Sequence, residues 1–247
     1  MALKVVGVIP ARLDSKRFYG KVLFNYRGKP LLQYLYAELS KSKAIDRLII
    51  ATDSKDVKKT AESFGAEVVV TSKKLRTGSD RVAEVMKSVA GDVFVNVQGD
   101  AFGLKYSLLD QSIKEFVKDH TLEYGTLARQ ITSDSELKSP DAVKVVMKDN
   151  GDAGWFSRSP IPFIRHTQKK PWSGQHRYYY HIGVYFFRRA ALKQFTMWAS
   201  TPNEKAESLE QLRILENGKN IRVFVTKMKT ISVDSPKDIK KLRKVIN

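Results

Sequence analysis

In the first half of the chain, apolar runs alternate with mixed, helix-like stretches. "KVVGVIP", "RLIIATD", "AEVVVT" and "DVFVNVQ" are apolar runs of strand length. Between them lie "PLLQYLYAELSKSK", "SKDVKKTAESFG" and "SDRVAEVMKSVAG", which read as helices. Pro30 opens the first of these, Ser54 is placed to cap the second, and Gly65 and Gly91 close the second and third. Strand, helix, strand in this order predicts a mostly parallel central sheet covered on both faces. Ligands of such sheets gather at the carboxyl ends of the strands. Here those ends carry "VIPARLDSKR", "ATDSKD" and "NVQGDAFG".

The second half has a different texture. "GTLARQIT", "DAVKVVMKDNGDAGWFS", "YYYHIGVYFF" and "IRVFVTK" read as strands, the second of them a pair turning at Asp149-Asn150-Gly151. "RRAALKQFTMW" and "EKAESLEQLRILENG" read as helices, and a last helix follows Pro236. "RSPIPFIRHTQKKPWSGQHR" has no clear period and reads as an ordered loop or lid. No repeat, low-complexity segment or linker interrupts residues 1–247, so the expectation is one α/β domain with an elaborated second half.

Composition narrows the chemistry. The 247 residues are 42% hydrophobic, enough for a sizeable core. The absence of cysteine excludes disulfides, thiolate zinc sites and a cysteine nucleophile. The first apolar stretch is too short for a signal peptide, and no run is long enough to span a bilayer. A cytoplasmic protein without membrane insertion is therefore expected. Forty-four Lys and Arg against 26 Asp and Glu give a net charge of +18, which favours anionic partners. These cations are spread along what read as exposed helix faces, so most of the excess is expected to be solvated surface. A basic nucleic-acid-binding protein is the rival reading of that charge. No recognition helix, finger or RNA-binding motif supports it.

Four cations, Arg12, Lys16, Arg17 and Lys21, follow the first strand, with Asp14 the one acid among them. They suit a strongly anionic ligand or a plain solvated loop. Neither GxxxxGK[ST] nor GxGxxG is present, so phosphate would be held by side-chain cations and not by a glycine-rich cradle. Asp100 stands just past an apolar strand, where it suits Mg²⁺ or a turn. Asp234 in "ISVDSPKD" suits Mg²⁺ or the cap of the final helix. His181 lies in an aromatic strand with no metal-ligand partner at suitable spacing. "ESLEQLR" places Glu207 and Gln211 on one helical face and Glu210 and Arg213 one turn apart, the pattern of a charge-paired surface. No G-x-S-x-G elbow supports hydrolase chemistry.

Taken in order, "VIPARLDSKRFYGK", "GKPLLQYLY", "IIATDSKDV", "RTGSDRVAEV", "VNVQGDA", "DAVKVVMKDNGDAGWFSRSPIPF", "HIGVYFFRRAAL", "ESLEQLRILENGKNI" and "VDSPKDIKKL" resemble one family. They are similar to the 3-deoxy-manno-octulosonate cytidylyltransferases, or CMP-Kdo synthetases, from near residue 5 to near residue 243. The resemblance implies a Rossmann-like nucleotidyltransferase fold that uses Mg²⁺, CTP and a sugar acid of the Kdo type, for surface glycan or lipopolysaccharide synthesis. It further implies a homodimer, with residues of about 120–230 carrying the sugar site and the dimer contacts. Arg12 and Lys21 would neutralise the triphosphate, supported by Ser15 and Arg17. Arg76, Thr77, Gly78 and Gln98 would surround the nucleoside, and Asp100 and Asp234 would hold Mg²⁺. Arg158, His181, Tyr185, Glu210 and Gln211 would surround the sugar acid. Two departures stand out: "RFYGKVL" where the family usually reads RLPGKPL, and "GDAFG" where it usually reads Gly-Asp-Glu-Pro. They leave the acceptor open among Kdo, its 8-amino-8-deoxy analogue and another ulosonic or nonulosonic acid, and they leave room for an inactive relative.

Overall fold

The computed structural model describes residues 3–14, 18–75, 77–165, 171–228, 230–233, 235–243 and 245. The predicted alternation appears as β1 (Val5–Pro10), α1 (Leu31–Leu39), β2 (Arg47–Thr52), α2 (Lys55–Ser63), β3 (Glu67–Val70), α3 (Gly78–Ser88) and β4 (Val93–Val97). The four strands run parallel in the order β3-β2-β1-β4. β1 is buried on both faces, which explains its unbroken apolar run. Val5 and Ile9 pack with Leu31, Leu35 and Val57 beneath α1 and α2. Val6 and Val8 pack with Val82, Val85 and Met86 beneath α3. Side chains alternate along β4 in the same way, which turns Asn96 towards α3 and leaves Val95 and Val97 on the opposite face.

The second half joins this parallel centre antiparallel. Its strands are β5 (Tyr124–Gln130), β6 (Lys144–Met147), β7 (Ala153–Ser157), β8 (Tyr179–Arg188) and β9 (Arg222–Val225). β8 pairs antiparallel with β4, β5 and β6, so one strand welds the two halves into a nine-stranded sheet among the described residues. The hairpin β6–β7 turns where expected, with Gly151 at φ 85°, a backbone region that favours glycine. A helix that the alternation leaves out is α4 (Tyr106–Lys118), which buries Leu109, Ile113 and Phe116 on one face. The remaining helices are α5 (Asp134–Lys138), α6 (Arg189–Met197), α7 (Pro202–Glu207), α8 (Leu212–Glu216) and α9 (Ile239–Leu242).

One expectation fails here. "EKAESLEQLRILENG" is not one helix but two, α7 and α8, separated at Ser208, whose φ of 53° and ψ of 48° are left-handed. The break turns Gln211 into the interior, where it is buried, so "ESLEQLR" is no charge-paired surface. Arg213 pairs not with Glu210 but with Glu204, whose carboxylate accepts its Nε–H at 2.9 Å across the break. Both partners are buried.

Part of the basic excess binds helix ends. The Arg189 guanidinium donates to Met86 O, Val89 O and Gly91 O at the end of α3. Arg188 does the same for Phe116 O, Val117 O and Asp119 O at the end of α4. Cations on the last carbonyls of a helix satisfy orphan acceptors and oppose the helix dipole.

Removing one partner of the buried pair across the α7–α8 break strands the other charge. Arg213→Met should therefore lower the unfolding free energy by about 3–5 kcal/mol. Urea unfolding measures it, and adding Glu204→Gln to the same chain should restore part of the loss.

Candidate active site

The carboxyl end of β1 leads into residues 11–14, and Arg12 reaches across to the segment that enters α3. Its Nη2 donates to Leu75 O at 2.8 Å and Thr77 O at 3.0 Å. Burial and the neighbouring Arg81 push the Arg12 pKa down, opposed by Asp53, Asp80 and Glu210. A guanidinium keeps its charge under such pressure. Thr77 caps α3 in a capping box with Asp80. The start of α3 is thereby fixed beside the end of β1, with the Asp80 N–H accepted by Thr77 Oγ1 at 3.1 Å.

The next loop follows β4. Lys21, in a single helical turn after the first loop, donates from Nζ to Asp100 Oδ2 at 2.7 Å and to Val233 O at 2.9 Å. Ala101 and Phe102 are buried and pair antiparallel with Ile231 and Ser232. This short two-stranded clasp follows Asp100 directly in the chain.

β8 supplies the third wall. Its pairing with β5 slips between Ile182 and Tyr185, a bulge at Gly183 and Val184. Gly183 O accepts the Gln98 N–H at 3.1 Å, and a Cβ at Gly183 would stand 2.5 Å from Gln98 Oε1. The bulge also fixes His181. Thr126 Oγ1 gives its one proton to Val184 O at 2.7 Å and lies 2.8 Å from His181 Nε2. Nε2 must therefore carry the ring proton. Nδ1 remains an acceptor with no hydrogen-bond partner among the described residues. Burial drives the His181 pKa down to about 3, so the ring is neutral.

Two joined cavities result. One, of about 460 Å³, is lined by Thr77, Gly78, Gln98, Asp100, Arg158, His181, Tyr185, Glu210 and Gln211, among others. The other, of about 210 Å³, is lined by Arg12, Asp14 and Lys21 and shares Gly78, Gln98 and Asp100 with the first. The sequence-predicted residues in the described part of the chain therefore converge on one place. Ser15, Arg17, Arg76 and Asp234 lie outside the described residues.

In the larger cavity polar groups wait unpaired. Glu210 Oε2 accepts the Ser79 N–H at the start of α3 at 3.3 Å, while its Oε1 has no partner among the described residues. Burial raises the Glu210 pKa, against hydrogen bonds from Thr77 and Ser79. The Tyr185 hydroxyl donates to Gln211 Oε1 at 3.0 Å, and burial holds it as a phenol. Gln211 Nε2 is buried without a partner among the described residues. Buried polar atoms without partners are costly unless a ligand or water completes them. Glu207, by contrast, is a clamp: its carboxylate accepts from Ser157 Oγ at 2.6 Å and from the Arg158 N–H at 2.9 Å.

The donor set around Asp100 is hard oxygen, its carboxylate and Val233 O, with the Lys21 ammonium standing as a cation between them. Such oxygens and such a cation seat fit Mg²⁺. Among the described residues no group of three or more His, Cys, Asp or Glu side chains gathers as a protein-only metal centre. Ser79, Asn96, Thr126, Lys144 and Gly183 escaped the sequence reading. The signals available were a glycine inside the aromatic strand "HIGVY" and a lysine inside the apolar "AVKVV".

These features are those of a nucleotidyltransferase, and residues 6–221 match the model of the cytidylyltransferase family. The chain belongs to that family. It is 41% identical over 245 residues to the 3-deoxy-manno-octulosonate cytidylyltransferase of Geobacter metallireducens, covering 97% of this chain and 96% of the relative. With the protein of the same name from Bdellovibrio bacteriovorus it shares 42% over 245 residues, covering 99% and 98%. The solved structure of CMP:2-keto-3-deoxy-manno-octonic acid synthetase complexed with CTP superposes with a TM-score of 0.89 at 36% identity, covering 98% of both chains. No helix among the described residues is long and apolar enough to cross a membrane.

Gly183→Ala tests the geometry. The added methyl displaces the far end of the Gln98 side chain, which can swing aside, so the melting temperature should move by no more than about 3 °C. Turnover should fall at least about tenfold, because Gln98 lines both cavities.

Proposed function

We propose that the protein transfers CMP from CTP to the anomeric hydroxyl of 3-deoxy-manno-octulosonate, or of its 8-amino-8-deoxy analogue, and releases pyrophosphate. One observation carries the reading. A small cationic cavity with Arg12 and Lys21 opens into a larger cavity with Arg158, His181, Tyr185 and Glu210, and the two meet at Gly78, Gln98 and Asp100. A triphosphate suits the first, a carboxylate-bearing sugar the second, and the α-phosphorus then falls at the junction. The likeness to relatives named for this activity supports CTP as the nucleotide and a sugar acid of the Kdo type as the acceptor.

In this reading the sugar oxygen bonds to the α-phosphorus and gives its proton to water as the bond to the β-phosphate bridge oxygen breaks, and pyrophosphate leaves. Arg12 and Lys21 neutralise the charge that builds on the leaving group. Gly78, at the start of α3, lines both cavities and offers its backbone N–H to an anionic oxygen. Arg158 faces the sugar carboxylate, while Glu210 Oε1, Gln211 Nε2 and His181 Nδ1 meet its hydroxyls. His181 is too weakly basic to store a proton near neutral pH, so it orients and does not act as base. Asp100, with Asp234, would hold Mg²⁺, which when bound supplies positive charge to the phosphate oxygens. A homodimer in the cytoplasm, feeding surface glycan synthesis, completes the proposal.

The test is pyrophosphate release from CTP with Mg²⁺, offering Kdo and its 8-amino analogue side by side, with ATP, GTP and UTP for comparison. Release with CTP and one of the two sugars is expected. Asp100→Asn and Lys21→Met should each lower turnover by on the order of 100-fold or more, since Lys21 brings positive charge to the phosphates and Asp100 would hold the Mg²⁺ that does the same. Their melting temperatures should stay within a few degrees of the parent. Full activity in Asp100→Asn would contradict the assignment, and silence with both sugars from folded protein would redirect it to another sugar acid.

A further inference from the structure

Lys144 is fully buried at the start of β6, between β7 and β8, and it belongs to no part of the chemistry described so far. Each of the acceptors recorded for its ammonium is a backbone carbonyl: Ser139 O at 2.9 Å, Ala142 O at 2.5 Å and Arg158 O. A buried charge without a carboxylate in contact is costly, and such a site persists where the geometry it imposes is needed. What it imposes is the approach of the 139–142 loop to Arg158. Arg158 Nη1 donates to Pro140 O at 2.9 Å, within that loop, and Nε donates to Glu207 O at 2.7 Å. The guanidinium is thus held on two sides, with Nη2 unpartnered among the described residues on a side chain that lines the larger cavity.

We propose that Lys144 is a positioning residue: its ammonium ties the 139–142 loop to the Arg158 backbone and so aims the Arg158 guanidinium at the carboxylate of the acceptor. This rests on the reading of the larger cavity as the sugar-acid site. The ammonium has three N–H donors for three carbonyls, whereas the neutral amine has two. Burial lowers the Lys144 pKa to about 8; Glu207 on α7 and Glu136 on α5 oppose the shift, and Arg158 adds to it. The tie is complete at neutral pH and loses one donor as the pH rises through 8.

Kinetics and one side-chain resonance test this together. In Lys144→Met the KM of the sugar acid should rise about tenfold while that of CTP stays within about twofold. Lys144→Arg keeps the cation and should recover most of the loss. In the parent enzyme kcat/KM for the sugar acid should fall above about pH 8 with loss of one proton, and Lys144→Arg should abolish that inflection. The Arg158 Nε–H NMR signal, identified by its loss in Arg158→Lys, reads the positioning without turnover. It should shift with a midpoint near pH 8 and collapse in Lys144→Met. Equal rises in both KM values with an unmoved Arg158 signal would make Lys144 a purely structural residue and overturn the proposal. If no sugar acid supports turnover, the reading of the cavity fails, and the Arg158 signal decides alone: insensitivity to Lys144→Met overturns the positioning role. Should Lys144→Met not fold, the parent titration decides, and a featureless Arg158 signal across pH 8 has the same meaning.

Discussion

An ammonium and a carboxylate 2.7 Å apart, Lys21 and Asp100, join segments that the chain keeps far from one another. Lys21 comes from the loop after β1, Asp100 from the turn after β4, and the second acceptor of the ammonium, Val233 O, from the segment before the last helices. Sheet topology brings the first two together, because β1 and β4 are parallel neighbours and both loops leave the same end of the sheet. The third arrives through the pairing of Ile231 and Ser232 with Phe102 and Ala101. That tie holds Asp100 in the wall that the two cavities share with Gly78 and Gln98.

The two cavities use opposite electrostatic devices. Around the first, Arg12 and Lys21 are lasting positive charges, suited to an anion whose charge grows during reaction. Around the second, burial works against charge. It keeps His181 neutral, holds Tyr185 as a phenol and raises the Glu210 pKa. Such groups recognise hydroxyls by directed hydrogen bonds, and the paired partners that fix them, Thr126, Gln211 and Ser79, leave one polar atom of each of His181, Gln211 and Glu210 for a ligand. Selectivity for a polyhydroxy acceptor then comes from atoms left unpaired, a penalty that an ill-fitting ligand does not relieve.

Much of this was legible in the chain. The β-α beat of residues 5–97 predicted the parallel centre, because strands buried on both faces must be apolar throughout. The hairpin at Asp149-Asn150-Gly151 followed from turn chemistry. The site residues were reached through ordered motifs and not through spacing, since Arg12, Asp100, His181 and Glu210 meet only in three dimensions. Long-range facts stayed hidden. The antiparallel entry of β8 depends on strand order, and α4 has helical spacing that the reading passed over. The break at Ser208 rests on a backbone conformation that serine seldom adopts. Charge counting misled in one respect: Arg188, Arg189 and Lys144 look like solvated cations in sequence but bind backbone carbonyls, and Lys144 does so fully buried.

The central claim is that nucleotide and acceptor meet directly at the Asp100 junction, with no side chain bonded to phosphorus on the way. The most direct measurement is the stereochemical course at phosphorus, using one diastereomer of the α-thio analogue of CTP and analysing the configuration of the nucleotidyl product. A single in-line displacement predicts inversion. Retention would require a covalent nucleotidyl-enzyme intermediate, and it would contradict the account of the site.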